Sequence, residues 1–338
     1  MMKRITIAGG GLAGLSAGIA LAERGVPVML CEAGSYPRHR VCGEFINGVD
    51  QGTLEVLGIA DILGTARLLS STTWFVGDER VYDAMLTEPA IGVSRHSLDE
   101  RLAERFVARG GELKEKARVE KKEEEGLVWA AGRQADRESG WIGLKVHARD
   151  MATVADLEMH LGTAGYVGTA RVEGGRVNIC GLFRRQRGIG GKGVELLLNY
   201  LRENGLEDLR GRMELGDLDS AAFVGVSAFR LGRQVRDGLC RVGDAESIIP
   251  PFTGNGMSMA FEAAETAIDP LVEFSEGNAS WGETVSGIEA RLEKRFAKRL
   301  FTARFLHPLF FRELGRMMLA SSARSGVLPF QFLFKSLR

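Results

Sequence analysis

The sequence predicts an α/β fold: a Rossmann-type, doubly wound nucleotide-binding sheet, an inserted antiparallel-sheet domain and a C-terminal helical cap. Three observations predict it. A strand, a glycine turn, a helix and a second strand follow one another from Arg4 to Glu32. A run of short strand patterns separated by glycine-rich turns fills Trp141–Phe183. A buried-strand pattern then returns at Leu239–Gly243 and leads into a helix over Gly256–Phe274. The order of textures therefore interleaves, with one domain set inside another.

Arg4–Ala8 reads as a short buried strand, Gly9–Gly11 as a turn, and Leu12–Arg24 as an Ala- and Leu-rich helix stopped by Gly25. Val26–Cys31 is the next strand. Leu98–Arg109 is an amphipathic helix closed by Gly110-Gly111, and Glu112–Ala131 reads as strands joined by a charged hairpin tip at Lys121–Glu125. That tip needs no function beyond a solvated turn. Strands are expected at Leu144–Arg149, Asp156–Leu161, Gly165–Val172 and Arg176–Phe183, then a helix at Val194–Glu203.

With 338 residues the chain suits one large or two fused domains. Lys plus Arg balance Asp plus Glu at 44 each, so no global field recruits nucleic acid. Cys31, Cys42, Cys180 and Cys240 show no metal-ligand or redox-motif spacing and fit a reducing cytoplasm. The apolar start breaks at once into Gly9-Gly10-Gly11, and no run of about 18 apolar residues follows. A cytoplasmic protein without a membrane span is expected.

Two motifs carry chemistry. The first is Gly9-x-Gly11-x-x-Gly14, followed by Gly18. Its first glycine makes the tight turn, its second lets backbone approach a pyrophosphate, and its third lets helix and strand pack closely. The helix N-terminus then points free N–H groups at the diphosphate. Glu32 ends the next strand, where a carboxylate bonds ribose hydroxyls and repels a 2′-phosphate. The second motif is Arg241-Val242-Gly243-Asp244-Ala245, then Pro250-Pro251-Phe252-Thr253-Gly254-Asn255-Gly256-Met257. Asp244 can accept from ribityl hydroxyls, and the Gly254–Gly256 backbone can touch a flavin ring and phosphates at a helix start. Together they point to FAD.

The pair of motifs, separated by most of the chain, resembles the flavoprotein class that contains para-hydroxybenzoate hydroxylase, the flavin halogenases and the geranylgeranyl reductases. Within it the chain is most similar to the geranylgeranyl reductase-like group, through Val41-Cys42-Gly43-Glu44, through Arg95–Asp99 with Leu102, and through Gly243–Gly256. The resemblance implies FAD contacts from Gly9, Gly11, Gly14, Glu32, Arg95 and Asp244. Ala13, Arg40, Gly132, Gly243, Gly254, Asn255, Gly256 and Met257 complete the expected cofactor set. The chain also departs from its relatives. Ala131 stands where the hydroxylases carry the Asp of an Asp-Gly pair serving flavin and nicotinamide. The halogenase Trp-x-Trp-x-Ile-Pro segment is missing, and only Gly165-Tyr166-Val167-Gly168 remains of the reductases' aromatic sheet motif.

Cys42, Glu44 and Tyr166 are the candidate catalytic residues. The relatives place the Cys-Gly-Glu triplet near the flavin ring, where a thiol could donate a proton; a small packing residue is the plainer account of Cys42. Glu44 is either a proton donor or the partner of Arg40, and Tyr166 either a catalytic group or sheet packing. The five histidines show no ligand spacing and read as structural or exposed, and no metal is expected.

The expected FAD-binding domain comprises residues 1–70, 92–140 and 232–290, the substrate domain 71–91 and 141–231, and the helical cap 291–338. The expected function is an FAD-dependent oxidoreductase that reduces double bonds of an apolar isoprenoid- or polyketide-like small molecule, with NADPH or NADH as candidate electron donor. An FAD-dependent monooxygenase is the alternative, and a non-catalytic flavin protein a third class. The tail, Arg291–Arg338, carries 11 Lys/Arg against 2 Asp/Glu, a net of +9. Phe301, Phe305, Leu309, Phe310, Leu314, Met317 and Met318 are expected to share one helix face flanked by Arg299, Arg304, Arg312 and Arg316. A packed cap or a peripheral membrane contact would both use such a tail.

Overall fold

The computed structural model describes residues 1–133, 140–227, 232–233, 238–251 and 254–325. Phe252 and Thr253 of the second motif, and the tail after 325, lie outside the described residues. The first strand, β1 (Ile5–Ala8), runs into α1 (Leu12–Glu23) and β2 (Val28–Cys31), as the glycine punctuation requires. Then come β3 (Phe45–Ile46), α2 (Gln51–Val56), β4 (Arg67–Val76), β5 (Glu79–Gly92), α3 (Arg95–Ala108), β6 (Glu112–Lys114) and β7 (Leu127–Trp129). The middle of the chain supplies β8 (Trp141–Arg149), β9 (Leu157–Leu161), β10 (Gly165–Arg171), β11 (Val177–Arg184), α4 (Val194–Glu203), α5 (Glu207–Leu215) and β12 (Asp217–Ser227). The chain closes with β13 (Gly232–Arg233), β14 (Cys240–Arg241), β15 (Ser247–Ile248), α6 (Gly256–Glu276), α7 (Trp281–Phe311) and α8 (Glu313–Arg324).

One sheet is parallel, in the order β14-β7-β1-β2-β6. Ile5, Ile7, Leu15, Ile19 and Leu30 are fully buried there, so the strands and the inner face of α1 form one core. Gly18 lets α3 come in close, since a Cβ there would meet the Phe106 ring at 2.9 Å. The expected hairpin over Glu112–Ala131 does not form. Its two strands lie on opposite sides of the β1–β2 pair, β6 beside β2 and β7 beside β1, because both pair parallel to their neighbours. Two strands so placed cannot share a tight turn.

The second sheet has the order β12-β8-β11-β10-β9-β4-β5-β3. It is mixed rather than purely antiparallel, because β4 pairs parallel with β9. The two come from separate chain segments, so no hairpin dictates their direction. One face of this sheet is covered by α4 and α5 through Leu197, Tyr200, Leu201, Leu209 and Met213. The last helices pack back onto the molecule: Phe296 and Ala303 join the first core, and Phe310 lies against Tyr166 and Trp74.

The expected single apolar face of the tail therefore divides. Phe310 is buried, while Phe301, Phe305, Leu314, Met317 and Met318 are exposed. Arg299, expected at the flank, is buried and donates to Glu262 of α6 at 3.0 and 3.1 Å. A cation at this depth needs that paired carboxylate.

Candidate functional site

Between the two sheets lies a cavity of about 600 Å³. Its lining runs from the first glycine motif through the 38–45 loop to the second motif, with a wall contributed by the mixed sheet. The first motif is built as the motif chemistry demands. Gly9 adopts φ +112°, and a Cβ there would stand 2.4 Å from the Ala130 carbonyl oxygen. Gly14 has no room either, at 2.0 Å from the Gly9 oxygen. Gly11 differs: a Cβ would meet no protein atom within 4 Å and would project into the open cavity. That is the position where a diphosphate needs bare backbone.

Glu32 is buried at the end of β2. Its carboxylate accepts from the Gly10 amide at 2.9 Å, the Gly34 amide at 2.8 Å and Arg38 at 2.7 Å. Burial raises its pKa, but the Gly34 amide and the charges of Arg38 and Arg40 outweigh that, so the group stays below its ordinary value and ionised. Tyr36 Oη donates to the Gly10 carbonyl at 2.6 Å, bracing the glycine turn. Neither Tyr36 nor Arg38 carries a motif signature in the sequence.

Arg40 and Arg95 both line the cavity and share one buried carboxylate. Arg40 donates to Asp99 at 2.8 Å and to the Gly10 carbonyl at 3.2 Å. Arg95 grips Asp99 with two bonds of 2.7 and 2.9 Å, one turn apart on α3. The expected pairing of Arg40 with Glu44 does not occur, because Asp99 takes the Arg40 guanidinium. Glu44 instead turns inward, at φ +56°. Its carboxylate accepts from the Arg95 amide at 3.0 Å and from Lys145 at 3.1 Å, and pairs with His147 at 2.5 Å. Glu44 is fully buried and lies behind the cavity wall rather than in it.

Cys42, Cys180 and Tyr166 do reach the cavity. Burial pushes the Cys42 thiol up, against the opposing pull of Arg95, so it stays protonated at neutral pH. Burial likewise pushes Cys180 up to about 12. Tyr166 is buried on β10 beside Phe310 and Phe311 of α7, so it packs and lines at once.

The second motif closes the other side. Asp244 lines the cavity and pairs with Arg133 at 3.4 Å, while Arg133 also donates to the Val41 carbonyl. Gly254 adopts φ +68° and leaves no room for a Cβ against the Phe45 ring. Gly256, the first residue of α6, has nothing within 4 Å of its Cβ position and lines the cavity with Met257. Asn255 is buried at the helix cap and donates to the Asn47 carbonyl at 3.3 Å. Gly132 adopts φ +74° with open space around it, next to Ala131 on the lining. No cluster of metal-ligating residues occurs among the described residues. No helix among them is long and apolar enough to cross a membrane.

A parallel sheet with this glycine loop, a buried carboxylate closing β2 and a returning Gly-Asp loop has the form of an FAD-binding Rossmann fold. FAD fits the residues present, because Gly11 and Gly256 leave backbone bare at two helix starts on one cavity and Glu32 stands ionised at its edge. The FAD binding domain family matches residues 2–149. No curated protein matches the chain. Among solved structures, Klebsiella pneumoniae HpxO complexed with FAD and uric acid superposes with a TM-score of 0.78 at 17% identity, over 99% of this chain and 96% of that one. The p-nitrophenol 4-monooxygenase PnpA of Pseudomonas putida gives 0.78 at 13% identity, over 99% and 97%. A geranylgeranyl bacteriochlorophyll reductase-like protein of Thermoplasma acidophilum gives 0.77 at 17%, over 99% and 95%. These likenesses establish the fold.

Proposed function

We propose that the chain is an FAD-dependent oxidoreductase that reduces a double bond of an apolar, isoprenoid- or polyketide-like molecule. The observation that supports this most is the cavity wall opposite the nucleotide loops, made of Gly143, Tyr166, Gly181, Leu182 and Val226, which offers an apolar substrate shape and little charge. FAD, when bound, supplies the two-electron chemistry. The protein's part is to hold the diphosphate at Gly9–Gly14 and the start of α6, to hold the adenosine ribose at Glu32, and to exclude water with the sheet wall. Cys42 and Tyr166 are the lining groups of this set with a proton to give, and the Cys42 thiol keeps its proton at neutral pH.

A monooxygenase is the second reading, favoured by the fold shared with the monooxygenase PnpA. Against it stands Ala131, on the cavity lining where a hydroxylase-type Asp would help seat a nicotinamide. Reduction of the free protein by NADPH is therefore expected to be slow. The test is anaerobic reduction of holoprotein with NADH, NADPH and dithionite, followed by reoxidation with candidate alkenes or with oxygen. Alkene-dependent reoxidation supports the reductase. Fast reduction by NADPH with oxygen-dependent product formation overturns it in favour of the monooxygenase.

A further inference from the structure

Behind the cavity wall lies a cluster of ionisable side chains drawn from four chain segments. Gly143, Lys145 and His147 alternate onto one face of β8, and their partners across the pair on β11 are Leu182, Cys180 and Asn178. Gly143, Leu182 and Cys180 line the cavity, so Lys145, His147 and Asn178 continue the same face one and two steps farther in. All three are fully buried, and Asn178 Nδ2 donates to the carbonyl of cavity-lining Cys42 at 3.0 Å.

The hydrogen bonds determine where the protons sit. Burial would raise the Glu44 carboxyl, but the His147 bond and the charge of Lys145 outweigh it and hold the group ionised. An ionised carboxylate only accepts, so His147 must donate to it from Nε2, at 2.5 Å. In the neutral ring, Nδ1 then keeps a lone pair. That Nδ1 is buried without a hydrogen-bond partner, and so is Oδ1 of Asn178 directly opposite. The two residues are cross-strand partners, whose Cβ atoms lie about 5 Å apart in such a pair, a spacing that one water donating a hydrogen to each acceptor can bridge.

Other charges near His147 are accounted for. Lys145 Nζ sits between Glu44 and His39 Nδ1, at 3.1 and 3.2 Å. Burial and then Lys145 push His39 down to about 4, so it stays neutral, edge-on to His147 and against His96 of α3. Asp219, opposite His147 on β12, accepts from the backbone amides of Ala221 and Ala222.

We propose that Glu44 and His147 form an acid–base dyad serving the cavity, with His147 Nδ1 exchanging a proton through a water held by Asn178. Glu44 fixes the tautomer and supports the imidazolium when the proton arrives, as a buried carboxylate does for a histidine base. The dyad rests on the reading that the cavity holds a flavin, but not on the identity of the substrate.

The test measures the flavin midpoint potential of holoprotein from pH 6 to 9, with dithionite as reductant and no substrate present. Wild type is expected to show a break in slope from an ionisation linked to flavin reduction. His147→Gln keeps a donor for Glu44 but cannot titrate. It should bind FAD within about threefold of wild type and lose the break. Glu44→Gln should move the break to lower pH, because the imidazolium loses its counter-charge. Coincident curves for wild type and His147→Gln overturn the proposal. If His147→Gln does not hold FAD, wild type labelled with 15N-histidine decides. A His147 ring unprotonated at Nδ1 at pH 7 and titrating between pH 5 and 9 supports the dyad, and a ring that does not titrate there overturns it. None of these readouts involves turnover, so failure of the proposed reaction would be separately visible.

Discussion

Gly243 lies against Ala13, so close that a Cβ at position 243 would stand 2.7 Å from the Cβ of Ala13. This contact joins the two glycine motifs, which are separated by most of the sequence. Gly243 also adopts φ +63°, a region in which an L side chain is strained. Gly243→Ala should therefore cost about 2–4 kcal/mol, as strain and overpacking combined. Denaturant unfolding and FAD titration check it: both stability and affinity are expected to fall, and an unchanged midpoint would mean that α1 and the Gly-Asp turn are not held this tightly.

Gly11 makes the opposite case. Its Cβ position is open, so Gly11→Val should fold as well as wild type yet lose FAD, because the side chain occupies the space a diphosphate needs. Asp244→Ala should weaken FAD more mildly, by about 1 kcal/mol, the worth of one hydrogen bond to a neutral hydroxyl. Fluorescence titration with FAD separates the two. Equal affinity of Gly11→Val and wild type would place the diphosphate elsewhere.

These two glycines also show what could be read from sequence. A strand–turn–helix with fixed glycine spacing is local, and steric need alone dictates it, so β1, α1 and β2 were legible. So was the helix at Val194–Glu203, which matches α4. Partners set by tertiary packing were not legible. Lys145 and His147 lie on the strand expected at Leu144–Arg149, where nothing local marks them as buried; both are fully buried because Glu44 comes from a loop some hundred positions upstream to meet them. Asp99 drew Arg40 from Glu44 by the same non-local route. The expected hairpin at Glu112–Ala131 failed because strand order in a parallel sheet is set by crossovers, which local pattern does not encode.

Glu158 should govern part of the acid stability. It is buried on β9 and accepts from Arg212 at 3.0 and 3.2 Å, from the Val154 amide at 2.6 Å, and pairs with His160 at 2.9 Å. Burial would raise its carboxyl, but these partners bring it down to about 2 from an ordinary 4.5. A depressed folded-state value gives stability that is present above about pH 4.5 and lost as pH falls towards 2; at 1.36 kcal/mol per unit this is about 3 kcal/mol. Glu158→Gln should thus be less stable than wild type at pH 7, with the gap closing near pH 2.5. Urea unfolding at the two pH values decides, and a gap that is constant with pH would contradict the assignment.

The final prediction concerns the tail. Phe301 and Phe305, at 73% and 72% exposure, are one turn apart on α7, and Leu314, Met317 and Met318 are exposed on α8. The two helices meet where Gly315 packs on Leu309, with no room for a Cβ. Exposed Arg304 and Arg312 stand among these residues. Water-facing aromatic residues beside cations suit an anionic bilayer, to which each basic residue near the surface adds about 1 kcal/mol. Removing the tail is a poor test, because Phe296, Ala303 and Phe310 fill the body of the protein and their loss would unfold it. Serine at Phe301 and Phe305 leaves those packing residues untouched. Wild type should float with phosphatidylserine-containing vesicles at low salt and dissociate at high salt, while the double variant stays behind with its FAD bound. If wild type ignores the vesicles at every salt concentration, the membrane reading fails, and Phe301 and Phe305 face water without a lipid partner.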